Sequence, residues 1–435
     1  MYLTGRLPLL VGLGVVPVIL LSLAGADAWL TALAWLLVCL GVALADAAAA
    51  ADPRQMRIER SIPRRARLGE RVETIVRVHN PTHRRLHGLL RDAWQPTAGA
   101  APARIPLDVP AGENRRVTVP LLPRRRGELS SDFVVIRSDG PLRLAGRQAR
   151  IVAPGAIRVL PPFASRRHLP SRLARLRELD GNTSVQVRGQ GTEFDSLREY
   201  VRGDDVRSID WRASARAGST MLRTWRPERD RHVVILIDTG RTSAARVGDA
   251  VRLDAAMEAA LLLSALATRA GDHVHLVMFD RVVRARVTGV DGAALLPALV
   301  DAMAPVEPQL IDTDWDAAFA QVRALTSRPS LVVLLTAQDA ADSARGLLGS
   351  LPQLTRRAHV LVGSATDTAL HEIAAQRTTS DEVYRAASAE RTLRDAALLA
   401  AAIGRAGGEA IADTPESLPP RIADRYIALK AAGRL

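Results

Sequence analysis

Two apolar runs stand almost end to end at the start of the chain and constrain it more than anything that follows. Residues 7–25 (LPLLVGLGVVPVILLSLAG) carry no charge, and a second run, Ala28 to Ala45, begins after only Ala26 and Asp27. Each approaches the roughly 20 residues that a helix needs to cross a bilayer. So short a connection leaves room for a tight hairpin and nothing larger. Arg6 precedes the first run, and Arg54, Arg57, Arg60, Arg64, Arg65 and Arg67 follow the second. The bias of basic residues toward the cytoplasmic side puts both flanks inside the cell. The expectation is a multi-pass protein of the inner (cytoplasmic) membrane, with a transmembrane helical hairpin over residues 1–50 and cytoplasmic soluble domains. Trp29 and Trp35 are candidate interfacial anchors. A rival reading takes Ala24-Gly25-Ala26 as a signal-peptide cleavage site. The second run would remain as a span even then, with its basic flank still inside.

At 435 residues the chain can hold two or three domains with cores of their own. Its only cysteine, Cys39, lies in an apolar run, which rules out a disulfide framework and a cysteine metal site. Histidines are few, scattered, and nowhere paired at metal-binding spacing, which leaves oxygen-ligated metals as the option. The net charge of +13 rests almost wholly on arginine, Lys430 being the one lysine. The basic residues are mixed with acids and lack an aromatic stacking platform, so nucleic acid is not an expected partner. Nor is a small-molecule substrate.

After the apolar runs the period changes. Val72, Thr74, Val76 and Val78 alternate with Glu73, Ile75 and Arg77, and Val117, Val119 and Leu121 repeat the two-residue period. Further short segments at 86–94, 133–137 and 156–160 are separated by turns at Asn80-Pro81, Pro110-Ala111-Gly112 and Asp139-Gly140-Pro141. This predicts an immunoglobulin-like β-sandwich over residues 51–162, closed by Pro161-Pro162. Residues 163–229 read as a linker and a distinctive polar segment. From 230 to 435, continuously apolar strands such as VVILI (233–237) and 331–335 alternate with helical stretches, the mark of an α/β doubly wound, Rossmann-like domain.

The polar segment, Gly191 to Gly218, interleaves six carboxylates with five arginines. Phe194, Leu197, Tyr200, Ile209 and Trp211 lie between them, and a merely solvated charge run would not need these. Asp195, Arg198, Glu199 and Arg202 have the spacing of neighbours on a helix, with Gly203 as its C-cap and Asp204 or Asp205 capping the next turn. The wording GxEFxxLREYxxGDDxRxIDWxAxAR resembles the signature of a bacterial family catalogued as domain of unknown function number fifty-eight. That resemblance carries Glu193, Phe194, Arg198, Glu199, Tyr200, Gly203, Asp204, Asp205, Arg207, Asp210, Trp211 and Arg216 as partner-binding or structural positions. It implies a membrane anchor, a β-rich region and a von Willebrand factor A-like domain. The implied partner is a MoxR-type AAA+ ATPase.

The same resemblance implies a divalent-cation site at the carboxyl ends of the strands. There a DxSxS loop, a threonine from a second loop and an aspartate from a third hold the ion, and Mg2+ suits such oxygen ligands. Here the candidate ligands are Asp238, Thr242, Thr313 and Asp339. The pattern departs from the family's at Gly240, which removes a hydroxyl, and at Ala337, which stands where the third-loop aspartate belongs. Arg241 also brings a cation into the loop. The expected function is a non-enzymatic adaptor that works with the ATPase in protein complex assembly or envelope maintenance. The alternative is a divalent-cation-dependent protein-binding module acting without an ATPase. Catalysis by the carboxylates of the signature is not expected, because equally frequent arginines hold them ionised.

Overall fold

The two N-terminal apolar runs fold as helices, in which each backbone N–H finds a carbonyl within its own segment. The computed structural model describes residues 1–183, 193–201, 206–226, 231–248, 250–339, 344–367 and 369–435. These form two units, Met1–Pro161 and Pro162–Leu435. The first opens with a short strand β1 (Tyr2–Leu3) and the helices α1 (Arg6–Leu13), α2 (Val15–Leu23) and α3 (Ala28–Ala49). By length and composition the helical stretches Arg6–Leu23 and Ala28–Gln55 are each able to cross a membrane.

The break between α1 and α2 has a local cause. Pro17 has no N–H to offer the carbonyl of Leu13, and its ring crowds that turn. Trp35 fills the notch: its ring lies where a Cβ on Gly14 would have to be, and its Nε1–H donates to the Leu10 carbonyl at 3.3 Å. Trp35 therefore packs within the hairpin and is not an interfacial anchor; Trp29, 85% exposed at the start of α3, has the position of one. Asp27 caps α3 through the amides of Trp29 and Leu30.

Eight strands follow in this unit: β2 (Arg57–Ser61), β3 (Arg65–Arg67), β4 (Val72–His79), β5 (Leu86–Trp94), β6 (Ile105–Val109), β7 (Asn114–Leu121), β8 (Gly127–Asp139) and β9 (Ala145–Leu160). One sheet has the order β1-β9-β8-β5-β6 with β3 parallel to β9, and the other is β2-β4-β7. The inward residues of both, among them Val76, Val78, Leu90, Leu107, Val119, Val134 and Ile157, share one apolar core. A buried ion pair crosses it, Arg60 to Asp92 at 3.0 and 2.7 Å, and Asp92 also accepts from Trp94 Nε1 and Ser131 Oγ.

The second unit contains α4 (Leu169–Thr183), β10 (Glu193–Glu199), α5 (Trp211–Ala217), β11 (Met221–Arg226), β12 (His232–Asp238) and a small hairpin of β13 (Arg246–Val247) and β14 (Ala250–Val251). Then come α6 (Arg252–Arg269), β15 (His273–Phe279), β16 (Val283–Val287), α7 (Leu295–Met303), α8 (Trp315–Leu325), β17 (Pro329–Leu335), α9 (Arg345–Thr355) and β18 (His359–Ala365). The chain ends with α10 (Ala369–Ala375), α11 (Ser380–Arg405), β19 (Glu409–Asp413) and α12 (Leu418–Ala431).

The main sheet has the order β16-β15-β12-β17-β18-β19, parallel throughout except for β16. Val234, Leu236, Val332, Leu334, Val360 and Val362 face a core shared with α8, α9 and α11. On the other face α6 packs against β12, β15 and β18, and α12 packs against α6. Both faces are covered, so the strands are apolar without alternation. The last helix is fastened at a buried triad, where Lys430 Nζ donates to Asp272 Oδ1 at 2.9 Å and Tyr426 Oη donates to Asp272 Oδ2 at 2.5 Å.

One element differs from the expectation. The stretch around Asp195, Arg198 and Glu199 is not a helix but strand β10, antiparallel to β11, with Phe194 opposite Trp225 and Glu199 opposite Met221 and a register shift between Phe194 and Ser196. Helical charge pairs contribute only about 0.2–0.5 kcal/mol each, too little to outweigh the strand pairing. Helix α6 starts at Arg252, after the β13–β14 hairpin. Helix α11 is started by a capping box between Thr379 and Glu382.

Candidate functional site

Strand order reverses at β12, since the chain leaves it to form β15 on one side and returns to place β17 on the other. Loops beyond the carboxyl end of such a strand diverge and leave a crevice. Asp238, the last residue of β12, lies at its floor and is 3% exposed. Its Oδ1 accepts from the Gly240 amide at 2.8 Å and from Thr313 Oγ1 at 2.5 Å. Its Oδ2 accepts from Thr336 Oγ1 at 2.7 Å and Thr242 Oγ1 at 3.3 Å. Three loops thus converge on one carboxylate, with Ser243 Oγ donating to the Asp238 carbonyl at 2.6 Å behind it. Around them is a cleft of about 50 Å³, with Trp315, Ala344 and Leu347 as its apolar wall and Arg241 and Asp312 at the rim. Arg241 Nη2 meets Asp312 Oδ1 at 2.5 Å, and both side chains are well exposed.

Of the four candidate metal ligands, the structure brings together Asp238, Thr242 and Thr313. Asp339 is held elsewhere: both its oxygens pair with Arg252, at 2.9 and 2.7 Å. That guanidinium also donates to the carbonyls of Thr242 and Ala365, so it ties three loops together from beneath. At Gly240 a side chain has no room, because a Cβ would overlap the Thr313 hydroxyl and crowd the Ile311 carbonyl. Among the described residues no group of three or more His, Cys, Asp or Glu is placed to hold a metal. At its floor the cleft offers one carboxylate, whose lone pairs already accept four hydrogen bonds, and the carboxylate at its rim, Asp312, is paired with the Arg241 guanidinium. This donor set does not fit Mg2+, which is bound through carboxylates and water in near-octahedral geometry.

Three residues of this region have no counterpart in the sequence reading. Thr336 completes the Asp238 cage, and its only signal was its place at the end of an apolar strand. Arg252 holds the loops, and nothing in its local sequence marks it. Asp280, fully buried beyond β15, accepts from Thr239 Oγ1 at 3.0 Å, Arg284 Nε at 2.7 Å and the amides of Arg281 and Val282. Burial pushes its pKa up. The hydrogen bonds from Arg284, the two amides and Thr239 outweigh that, and hold the carboxyl below the usual carboxylate range.

The signature forms a second feature, the β10–β11 ribbon with α5 between its strands. Glu193 and Phe194 lie in β10, and the Tyr200 amide donates to the Thr220 carbonyl just beyond it. Asp210 caps α5 through the amides of Arg212 and Ala213, both at 3.0 Å, and pairs with Arg223 of β11 at 2.7 Å. The amide bond from Ala213 and the Arg223 contact hold its carboxyl below its ordinary pKa. Arg198 Nη1 donates to the carbonyl of Glu199, and Arg207 and Arg216 are exposed. Trp211, at the start of α5, is 71% exposed, and Val201 and Val206 are each 61% exposed. Gly203, Asp204 and Asp205 lie outside the described residues.

Residues 196–398 match the family described as Protein of unknown function DUF58. The match runs from the signature ribbon through the Asp238 cleft into α11 and covers a little under half of the chain. No curated protein matches the chain. Solved structures similar to it include the complex of zinc 2-glycoprotein and prolactin inducible protein from human seminal plasma, with 12% identity and a TM-score of 0.20 over 24% of this chain and 92% of that one. The CARDB domain of a Pyrococcus furiosus protein has 15% identity and a TM-score of 0.19 over 24% and 87%. A β-glucosidase from Listeria innocua has 17% and 0.18 over 24% and 16%. TM-scores this low bear on neither fold nor function.

Proposed function

We propose that this chain is a membrane-anchored, non-enzymatic adaptor of the DUF58 family that works with a MoxR-type AAA+ ATPase in protein complex assembly or envelope maintenance. In this reading the N-terminal hairpin spans the inner membrane, the arginine-rich flanks hold the soluble parts in the cytoplasm, and the second unit is von Willebrand factor A-like. The observation that carries it is the exposure of Trp211 on an ordered, capped helix. A tryptophan left in water is stabilised by a partner that covers it, and such aromatic anchors dominate protein interfaces. Catalysis is disfavoured because Asp210 is held ionised by a cap and an arginine, and Asp238 already accepts four hydrogen bonds. The Asp238 cleft on this account contacts a protein without a resident divalent ion.

The test immobilises the full chain in lipid nanodiscs and passes the ATPase over it with ATP, ADP or neither. Nucleotide-dependent retention is expected, and Trp211→Ala combined with Arg207→Ala should weaken it roughly tenfold or more, as loss of an interface anchor does. Absence of retention in every nucleotide state defeats the proposal.

A further inference from the structure

The hairpin brings the start of α1 and the end of α3 to the same side, and there the turn between β8 and β9 is bonded to both. Leu3 pairs with Ala145 in the sheet, and the Thr4 amide and hydroxyl donate to the carbonyls of Leu144 and Arg143. Asp46 is an acid in the last turns of an otherwise apolar helix, yet it is only 3% exposed. Its carboxylate accepts the amides of Leu142, Leu144 and Ala145 at 2.7, 2.8 and 3.0 Å. A Cβ on Gly140 would overlap Asp46, so the turn fits against the helix only with glycine there. The sheet is therefore welded to the anchor, with no flexible tether between them.

Helix geometry then sets the depth of this junction. From Ala28 to Ala48 the helix rises twenty steps, about 30 Å at 1.5 Å each, which is the thickness of a bilayer's hydrocarbon core. The carbonyls of Ala47 and Ala48 thus fall at its boundary, and two arginines bond them: Arg84 Nη1 to Ala48 at 2.7 Å and Arg147 Nε to Ala47 at 2.9 Å. A helix C-terminus attracts cations, and capping accounts for one donor of Arg84. Capping does not account for Arg143, exposed on the turn beside His87, or for exposed Arg6. Leu142 and Leu3 stand among them, 57% and 63% exposed. Apolar side chains in water beside a ring of cations form a surface of the kind that lies in a headgroup layer.

We propose that this collar binds anionic phospholipid headgroups, with Arg6, Arg84, Arg143 and Arg147 around the phosphates and Leu3 and Leu142 in the acyl boundary. The inference rests on the reading of α1 to α3 as a membrane anchor. Inserted arginines of this kind favour anionic over zwitterionic lipid, and with Arg6 and Arg143 outside the helix-capping contacts the preference should be roughly tenfold or more at low salt.

The full chain, reconstituted separately into phosphatidylcholine and mixed phosphatidylcholine/phosphatidylglycerol nanodiscs, is assayed for retained lipid by native mass spectrometry. Insertion into both, a tenfold preference for phosphatidylglycerol that falls with salt, and its loss in Arg84→Gln/Arg143→Gln support the collar. Because Arg84 also caps α3, Arg6→Gln/Arg143→Gln serves as a second variant and should lower the preference severalfold. Leu142→Trp should add quenching by brominated lipid at shallow depth over that of the parent chain. Insertion without any lipid preference overturns the collar and leaves the anchor standing, as does a Leu142→Trp variant quenched at shallow depth no more than the parent chain, whose Trp29 and Trp35 already lie in the anchor. Failure to insert into either bilayer overturns both.

Discussion

Replacing Asp280 is the sharpest test of how the Asp238 loops are held. The carboxylate is fully buried and takes four donors, one of them the Arg284 guanidinium. Removing one partner of a buried ion pair costs roughly 3–5 kcal/mol. Arg284 is one-third exposed and can turn to water, as can the two turn amides, so Asp280→Ala should lie near the lower end, about 3 kcal/mol. Asp280→Asn keeps the volume but turns an amide donor toward other donors, and should cost about 2 kcal/mol. Hydrogen exchange in the full chain reads this locally, through peptides covering Thr239 and residues 279–283. At 1.4 kcal/mol per decade, Asp280→Ala should speed exchange there on the order of a hundredfold. The folded pKa is lowered, so the stabilisation is complete above the unfolded carboxyl value of about 3.9 and is lost as pH falls through the folded one. The gap between parent and Asp280→Asn should hold constant from pH 7 to about 5 and close below about 4. A change in exchange under threefold, or a gap that widens in acid, would refute the assignment.

Three further outcomes are expected. Lys430→Met leaves Asp272 buried without its cation and should destabilise by about 3 kcal/mol, lowering the melting transition of the Pro162–Leu435 unit by roughly 6–12 °C; Lys430→Met/Asp272→Leu should regain part of that, and an unshifted single variant would contradict the triad's role. Gly240→Ser restores a hydroxyl to the loop but puts a Cβ against Thr313 and should cost roughly 1–3 kcal/mol. Calorimetric titration of that variant with Mg2+ should stay flat, and saturable binding would show that the cleft accepts a divalent ion after all. Arg252→Lys cannot reproduce a guanidinium that reaches Thr242, Ala365 and Asp339 together, so exchange at residues 239–245 should rise at least tenfold, whereas parent-like protection would remove Arg252 from the account.

What was legible in the sequence was whatever a short window of side chains decides alone. The apolar runs at the N-terminus are helices long and apolar enough to cross a membrane, and that length and composition can be read from the sequence. VVILI and the run at 331–335 are strands because continuous apolarity without helical length suits a sheet covered on both faces. The signature misled at β10, where charges at helical spacing lie in a strand paired with residues more than twenty positions away. Asp238 could be singled out at a strand end, but its partners could not. Thr336 reaches it because β12 and β17 run parallel with Leu236 opposite Leu334 and Ile237 opposite Leu335. Arg252 reaches Asp339 because α6 crosses behind both loops. Local propensity is a property of neighbours along the chain, and the sequence alone determined it. Register between distant strands depends on how the two faces of the sheet are packed, so only the tertiary structure decided which oxygens meet in the cleft.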